Sequence, residues 1–220
     1  MSDYNLAGIV NSNNFLKNII YYEKITSTNS VAKEILNKTN FHINNFLVLA
    51  DYQTNGRGKG DAYYFSPAKV GIYMSVVLIK PSYDLKLLSM ATSLAIAKSL
   101  CTFTDANIKV KWPNDILINN KKVCGILIES ATQPKSVTVD YVIIGIGVNI
   151  NNEDFDSEIE DIATSLKKES GKTIDRNMVI IKILNSLKDL LSKAPQELFD
   201  EYLLNLDKKS LDKVSQCNIL

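Results

Sequence analysis

Apolar positions recur with two different periods along the chain, and the switch between them sets the fold class. Ser27, Thr28 and Asn29 precede Val31, Ala32, Ile35 and Leu36 at helical spacing, so small polar caps open a first helix. Residues 46–50 (FLVLA) and 71–79 (GIYMSVVLI) are apolar runs of strand length. Asp84 can cap a long, mostly apolar helix that reaches about Leu100. The period then shortens. Ile116–Ile118 and the run from Val123 to Glu129 flank Asn119-Asn120, a pair suited to positive φ at a hairpin turn. Gln133–Ser136 turn the chain again into a strand at 137–150, rich in Val and Ile. Three strands joined by tight turns make an antiparallel meander, so the chain is α+β and not a Rossmann alternation. Asp175 can cap another helix, with Met178, Ile181, Leu184, Leu187 and Leu191 at three- and four-residue steps, and a short helix follows at 195–204. The acidic stretch that begins after Asn151 is the one break in composition. It reads as a loop, which leaves residues 1–220 as a single domain.

Composition narrows the chemistry. A hydrophobic fraction of 45% with 22% charged residues is that of a globular chain. Twenty-five Lys+Arg against 24 Asp+Glu give +1, so no strong global field draws the chain to nucleic acid or membrane. No segment reads as a signal peptide or bilayer span. Cys101, Cys124 and Cys217 are widely spaced and form no CxxC, as expected of reduced thiols in a cytoplasmic protein. With His42 as the single histidine, a multi-His zinc site has no ligands. Chemistry must run on Lys, Arg, Asp and backbone amides.

Four fragments could carry it. In Gln53-Thr54-Asn55-Gly56-Arg57-Gly58-Lys59-Gly60, alternate glycines let backbone N–H groups cradle an anion between two cations; a surface loop with ordinary charges has the same composition. Lys111-Trp112-Pro113-Asn114-Asp115 combines an ammonium, an amide and a carboxylate after an extended X-Pro step, or is an Asn-Asp turn under an aromatic. Lys122 opens a buried strand with Gly125 three residues on, and can aim its ammonium into a cavity or sit exposed on the hairpin. Gly145 and Gly147 precede Asn149 inside a strand, where bare backbone marks a bulge or the approach of a flat ring such as adenine.

Taken in order, with Ala163-Thr164-Ser165-Leu166 downstream, these fragments resemble the biotin protein ligases from about Ser27 to Leu191. The resemblance implies a class II aminoacyl-tRNA synthetase-like fold, a mixed, mostly antiparallel sheet with helices on one face. It implies a two-step reaction in which biotin attacks the α-phosphate of ATP, with Mg2+ bridging the phosphates. A lysine of a biotin carboxyl carrier protein then takes the acyl group from biotinyl-5′-AMP. By matching motif positions, Ser27, Thr28, Asn29 and Gln53 line the biotin pocket. Arg57, Gly58 and Lys59 lie over the carboxylate and α-phosphate, Lys122 stands at that junction, and Gly125 lies beside it. Lys111, Asn114, Gly147 and Asn149 serve the nucleotide, and Asp115 orients or deprotonates the acceptor lysine. The family's second loop arginine is Lys59 here, Asp61-Ala62 replace Gly-Arg, and Tyr64 replaces Trp, so a leakier intermediate is expected. The acidic run from Glu153 to Asp161 is expected to order over the adenylate. No helix-turn-helix domain is expected before Ser27 and no SH3-like barrel after Leu204, so no DNA partner is expected, while a homodimer is consistent with relatives. A lipoate or octanoate ligase, a silent biotin-binding or regulatory module and a pure interaction domain are the rival readings.

Overall fold

The computed structural model describes residues 3–12, 16–40, 42–60, 62–132 and 139–216. Cys217, Asp61 and the turn expected at 133–136 lie outside them. Seven strands form one sheet: β1 (Asn18–Ile25), β2 (Phe46–Gln53), β3 (Ile72–Ile79), β4 (Ile108–Lys111), β5 (Asp115–Ile118), β6 (Lys121–Ala131) and β7 (Tyr141–Val148). Their spatial order is β1-β2-β3-β7-β6-β5-β4, and only β1 and β2 run parallel. The α+β, mostly antiparallel expectation therefore holds, and the meander is β5-β6-β7. Asn119 and Asn120 both take positive φ at the β5–β6 turn, 49° and 68°.

Helices α1 (Leu6–Asn11), α2 (Thr28–Thr39), α3 (Leu85–Leu100), α4 (Leu166–Ser170), α5 (Arg176–Leu191), α6 (Pro195–Asn205) and α7 (Lys208–Gln216) complete the fold. They do not all lie on one face. Alternation along the strands explains the split: Leu47, Leu49, Met74, Val76, Ile144 and Ile146 point into the larger core with α3 and α5. Phe46, Val48, Ala50, Val77 and Ile143 point the opposite way, against Ala32 and Leu36 of α2. Helix α3 lies between the sheet and α5–α6, buried nearly all round, with Leu88, Leu94, Ile96 and Leu100 fully covered. Each such side chain contributes about 1.5–3 kcal/mol. In α5 the expected Leu184, Leu187 and Leu191 are buried, together with Val179, Ile180, Ile183 and Leu190, while Met178 is exposed.

A buried ion pair joins the two halves of the chain. Arg176, at the start of α5, donates to Asp51 Oδ1 of β2 (3.0 Å), to Tyr4 Oη (2.8 Å) and to the Gly71 carbonyl (3.1 Å). The Tyr21 hydroxyl donates to the other Asp51 oxygen at 2.5 Å. This network fixes the far side of β2 and leaves its C-terminal end, at Gln53, to the site.

Candidate active site

On the α2 face of the sheet, the ends of β6 and β7 carry glycine where alternation would place side chains. Gly125 pairs with Gly147, and Leu127 with Gly145, so three bare positions form one floor. Their vacancy is used. A Cβ at Gly145 would come within 2.3 Å of Asn29 Oδ1, and one at Gly147 within 2.4 Å of the Tyr64 ring, which also covers Gly125. The flat ring against Gly147 is thus the chain's own Tyr64, whose hydroxyl donates to the Gly147 carbonyl at 2.7 Å. Burial between β6 and β7 raises this phenol well above its ordinary value, keeping it a neutral donor.

Over the floor lies a cavity of about 200 Å³. Its walls include Ser27, Thr28, Asn29, Gln53, Arg57, Gly58, Lys59, Asn114, Asp115 and Lys122. One end is lined by amides and hydroxyls held in fixed orientation. The Thr28 N–H and hydroxyl both donate to Gln53 Oε1 (2.8 and 3.2 Å), and Gln53 Nε2 donates to Ser66 Oγ (2.9 Å). Gln53 thereby satisfies a free N–H at the start of α2, and Ser27 makes no side-chain capping bond although it is the N-cap residue. Its hydroxyl lines the cavity instead. Asn29 accepts from the Ser75 hydroxyl (2.6 Å) and donates to Glu129 Oε2 (2.8 Å).

Cations supply the rest of the wall. The glycine-rich loop is an ordered, hairpin-like turn: Gly58 N–H donates to the Ala62 carbonyl (2.7 Å), and Tyr64 N–H to the Gly56 carbonyl (2.8 Å). It carries Arg57 to a bidentate pair with Glu129. Opposite, Lys122 Nζ lies 2.6 Å from Asp115 Oδ1 and 5.9 Å from the centre of the Tyr64 ring. Asn114 donates to the Ile126 carbonyl at 2.7 Å, fixing the segment before Asp115 on β6.

Two expected nucleotide residues stand apart from this cavity. Asn149 lines a neighbouring space of about 150 Å³ with Phe65, Phe155, Ile159 and Ile162, separated from the first by Tyr64 and Lys122. Its amide donates to the Thr164 carbonyl (3.0 Å), and Lys122 exchanges backbone hydrogen bonds with Ile162 and Thr164, so β6 and β7 hold the Ala-Thr-Ser-Leu segment in place. The Ser165 hydroxyl donates to the Asn152 carbonyl at 2.6 Å. Lys111 faces a third cleft, 3.8 Å from Asp115 Oδ2.

Glu129, Tyr64 and Ser75 complete the site and were not read as members of it. Ser75 carried a signal, as the one small polar residue in β3. Among the described residues no helix is long and apolar enough to cross a membrane.

The mixed sheet with this cleared, cation-rimmed face has the class II aminoacyl-tRNA synthetase-like fold. A family model described as the biotin/lipoate A/B protein ligase family matches residues 21–149. The biotin protein ligase of Aquifex aeolicus, solved with biotin and ATP, is 30% identical with a TM-score of 0.74, the alignment covering 87% of this chain and 79% of that one. That of Leishmania major, solved with biotinyl-5-AMP, is 26% identical with a TM-score of 0.73, covering 87% and 82%. The bifunctional ligase/repressor BirA of Bacillus spizizenii is 41% identical over 76% of this chain and 52% of its own length. This chain belongs to the biotin/lipoate A/B protein ligase family. It spans about half the length of the curated relatives it matches.

Proposed function

We propose that this chain is the catalytic domain of an ATP-dependent biotin protein ligase, which activates biotin as biotinyl-5′-AMP and transfers it to a lysine of a biotin carboxyl carrier protein. The observation that carries the reading is one cavity with two chemically distinct ends. Fixed amides and hydroxyls from Ser27, Thr28, Asn29 and Gln53 line one end, and Arg57, Lys59 and Lys122 supply cations to the rest of the wall. A ureido ring needs donors and acceptors, as the first group offers; a dithiolane or an alkyl chain does not. This disfavours lipoate and octanoate as substrates.

In the first step a biotin carboxylate oxygen attacks the α-phosphorus of ATP, and the bond to pyrophosphate breaks. No enzyme nucleophile is needed, so catalysis is positioning plus stabilisation of charge on the phosphoryl oxygens. Lys122 and the Arg57 loop supply that stabilisation. The adenine is assigned to the space beside Asn149, under Phe155 and Ile159, where the acidic loop would close over it. Among the described residues no group of three or more His, Cys, Asp or Glu could hold a metal ion. Mg2+, which the resemblance implies, would be brought by the triphosphate of the substrate and would offset charge on its oxygens. In the second step Asp115 receives the acceptor amine, which is mostly protonated at neutral pH and must lose its proton before attack.

The test is ATP–pyrophosphate exchange with biotin, lipoate, octanoate or no acid. Exchange with biotin alone supports the reading. Exchange with lipoate or octanoate moves the chain to the sister activity, and none with any acid, in folded protein, favours a silent binding module.

A further inference from the structure

We propose that the cleft between the β4–β5 hairpin and the first turn of α7 is the docking surface for the acceptor protein, and that it takes an acidic segment carrying the reacting lysine. The proposal rests on the ligase reading above. This cleft, of about 730 Å³, lies on the far side of the Asp115–Lys122 pair from the biotin cavity, and both residues line both spaces. An amine arriving through it meets Asp115 before it reaches the adenylate. Asp115 takes one proton from the ammonium and passes it to solvent; the free amine nitrogen then attacks the acyl carbon, an amide bond forms as the bond from that carbon to the phosphate oxygen breaks, AMP leaves, and Asp115 takes the second proton.

The cleft has the charge for an acidic visitor. Lys111, Lys122, Lys208 and Lys209 face it against Asp115 and Asp207, four positive and two negative groups, a local excess of 4 − 2 = +2. Lys208 and Lys209 begin α7, the end of a helix where a cation is disfavoured by the backbone dipole. Among the described residues neither has an ion-pair partner, and the Asp207 carboxylate accepts from the Ser210 N–H at 2.6 Å. Nor are these lysines on a loose strand. Asp207 N–H donates to the Val110 carbonyl (2.9 Å), Trp112 N–H donates to Ser210 Oγ (2.8 Å), and Val214 of α7 is buried. The segment that bears the cations is thus bonded to the strand that leads into Asp115. Ile162, 63% exposed, adds apolar surface suited to side chains.

The experiment compares wild type with the double variant K208E/K209E. Two quantities are read: biotin-dependent ATP–pyrophosphate exchange, and the KM for a biotin carboxyl carrier domain at low and high salt. The expected result is unchanged exchange, which also reports an intact fold, and a KM raised about tenfold at low salt, with the difference shrinking at high salt. K208Q/K209Q should fall between. An unchanged KM with exchange intact overturns the docking surface alone. Absence of exchange in the wild type removes the ligase reading and this proposal with it. Stronger inhibition of transfer by short duplex DNA than by an acidic peptide would assign the cleft to nucleic acid and overturn the proposal.

Discussion

The guanidinium of Arg57 meets the carboxylate of Glu129 in a paired arrangement, Nη1 to Oε2 and Nη2 to Oε1, each at 3.1 Å. The same Oε2 accepts from Asn29 Nδ2, so one carboxylate ties the loop cation to the amide end of the cavity. A substrate carboxylate that needs the Arg57 fork must displace Glu129 from it. The pair is 39% and 27% exposed, so breaking it costs at most about 1 kcal/mol. Glu129→Gln keeps an acceptor for Asn29 and removes the competing charge. The KM for biotin in pyrophosphate exchange should fall by up to about fivefold with kcat little changed. A rise in KM would mean that Glu129 holds Arg57 in its working position.

In the proposed reaction Lys122, which lines the cavity beside Asp115, would stand where negative charge develops in adenylation. Loss of one such preorganised donor costs about 3–4 kcal/mol of barrier. Lys122→Ala should cut the exchange rate by about 10²–10³, with thermal unfolding lowered modestly, because Lys122 is 37% exposed but its loss leaves the 19% exposed Asp115 with only the longer contact to Lys111. An unaltered exchange rate would remove Lys122 from the mechanism.

Tyr64 latches the Arg57 loop onto the floor through its hydroxyl on the Gly147 carbonyl. Tyr64→Phe keeps the ring over Gly125 and Gly147 and removes that bond alone. A stability loss of about 1 kcal/mol is expected. Biotinyl-AMP should dissociate faster in the variant, measured by chase with unlabelled ligand. Equal dissociation rates would show that the latch plays no part in retention.

Alkaline pH should unfold the protein steeply. Burial raises Tyr4, Tyr64 and Tyr73 well above the ordinary 10.0 and pushes Tyr202 up to about 12. Above pH 10 the unfolded chain releases these protons and the folded chain keeps them. The folded state then binds more protons, and stability falls as pH rises. Below pH 10 both states are protonated and the contribution is fully present. Absorbance at 295 nm should show the exposed tyrosines titrating first and these four appearing only with loss of near-ultraviolet dichroism. Smooth titration of all tyrosines before unfolding would contradict the burial argument.

Local signals explain which parts of this fold could be read in the sequence. The Asn119-Asn120 hairpin, α3 and α5 rest on turn chemistry and on long periodic runs, and all three formed. Strand β1 was missed because it is a sheet edge with mostly half-exposed residues, so no clean alternation marks it. Strand β4 has only four residues, too few for a period. Helix α7 is polar apart from Leu211 and Val214, and its place comes from bonds to Val110 and Trp112, about a hundred residues earlier in the chain. At the site, the motif residues and the cavity lining largely coincide, because glycine and amide positions there serve local backbone geometry. In the sequence Glu129 is only the end of the apolar run from Val123, because its role depends on Arg57 reaching across the pocket.

The hydrogen bond from Ser165 to the Asn152 carbonyl, beside the bond from Asn149 to Thr164, gives the acidic loop a tied base. The chain from Glu153 to Ala163 leaves and re-enters the fold at nearly the same place, so the entropy of closing that ring is lost on folding rather than on each catalytic cycle. In the proposed reaction a nucleotide beside Phe155 would therefore meet a segment whose two ends are already fixed. Release of AMP in that reaction would then have to open only the middle of the loop, with both of its ends still held.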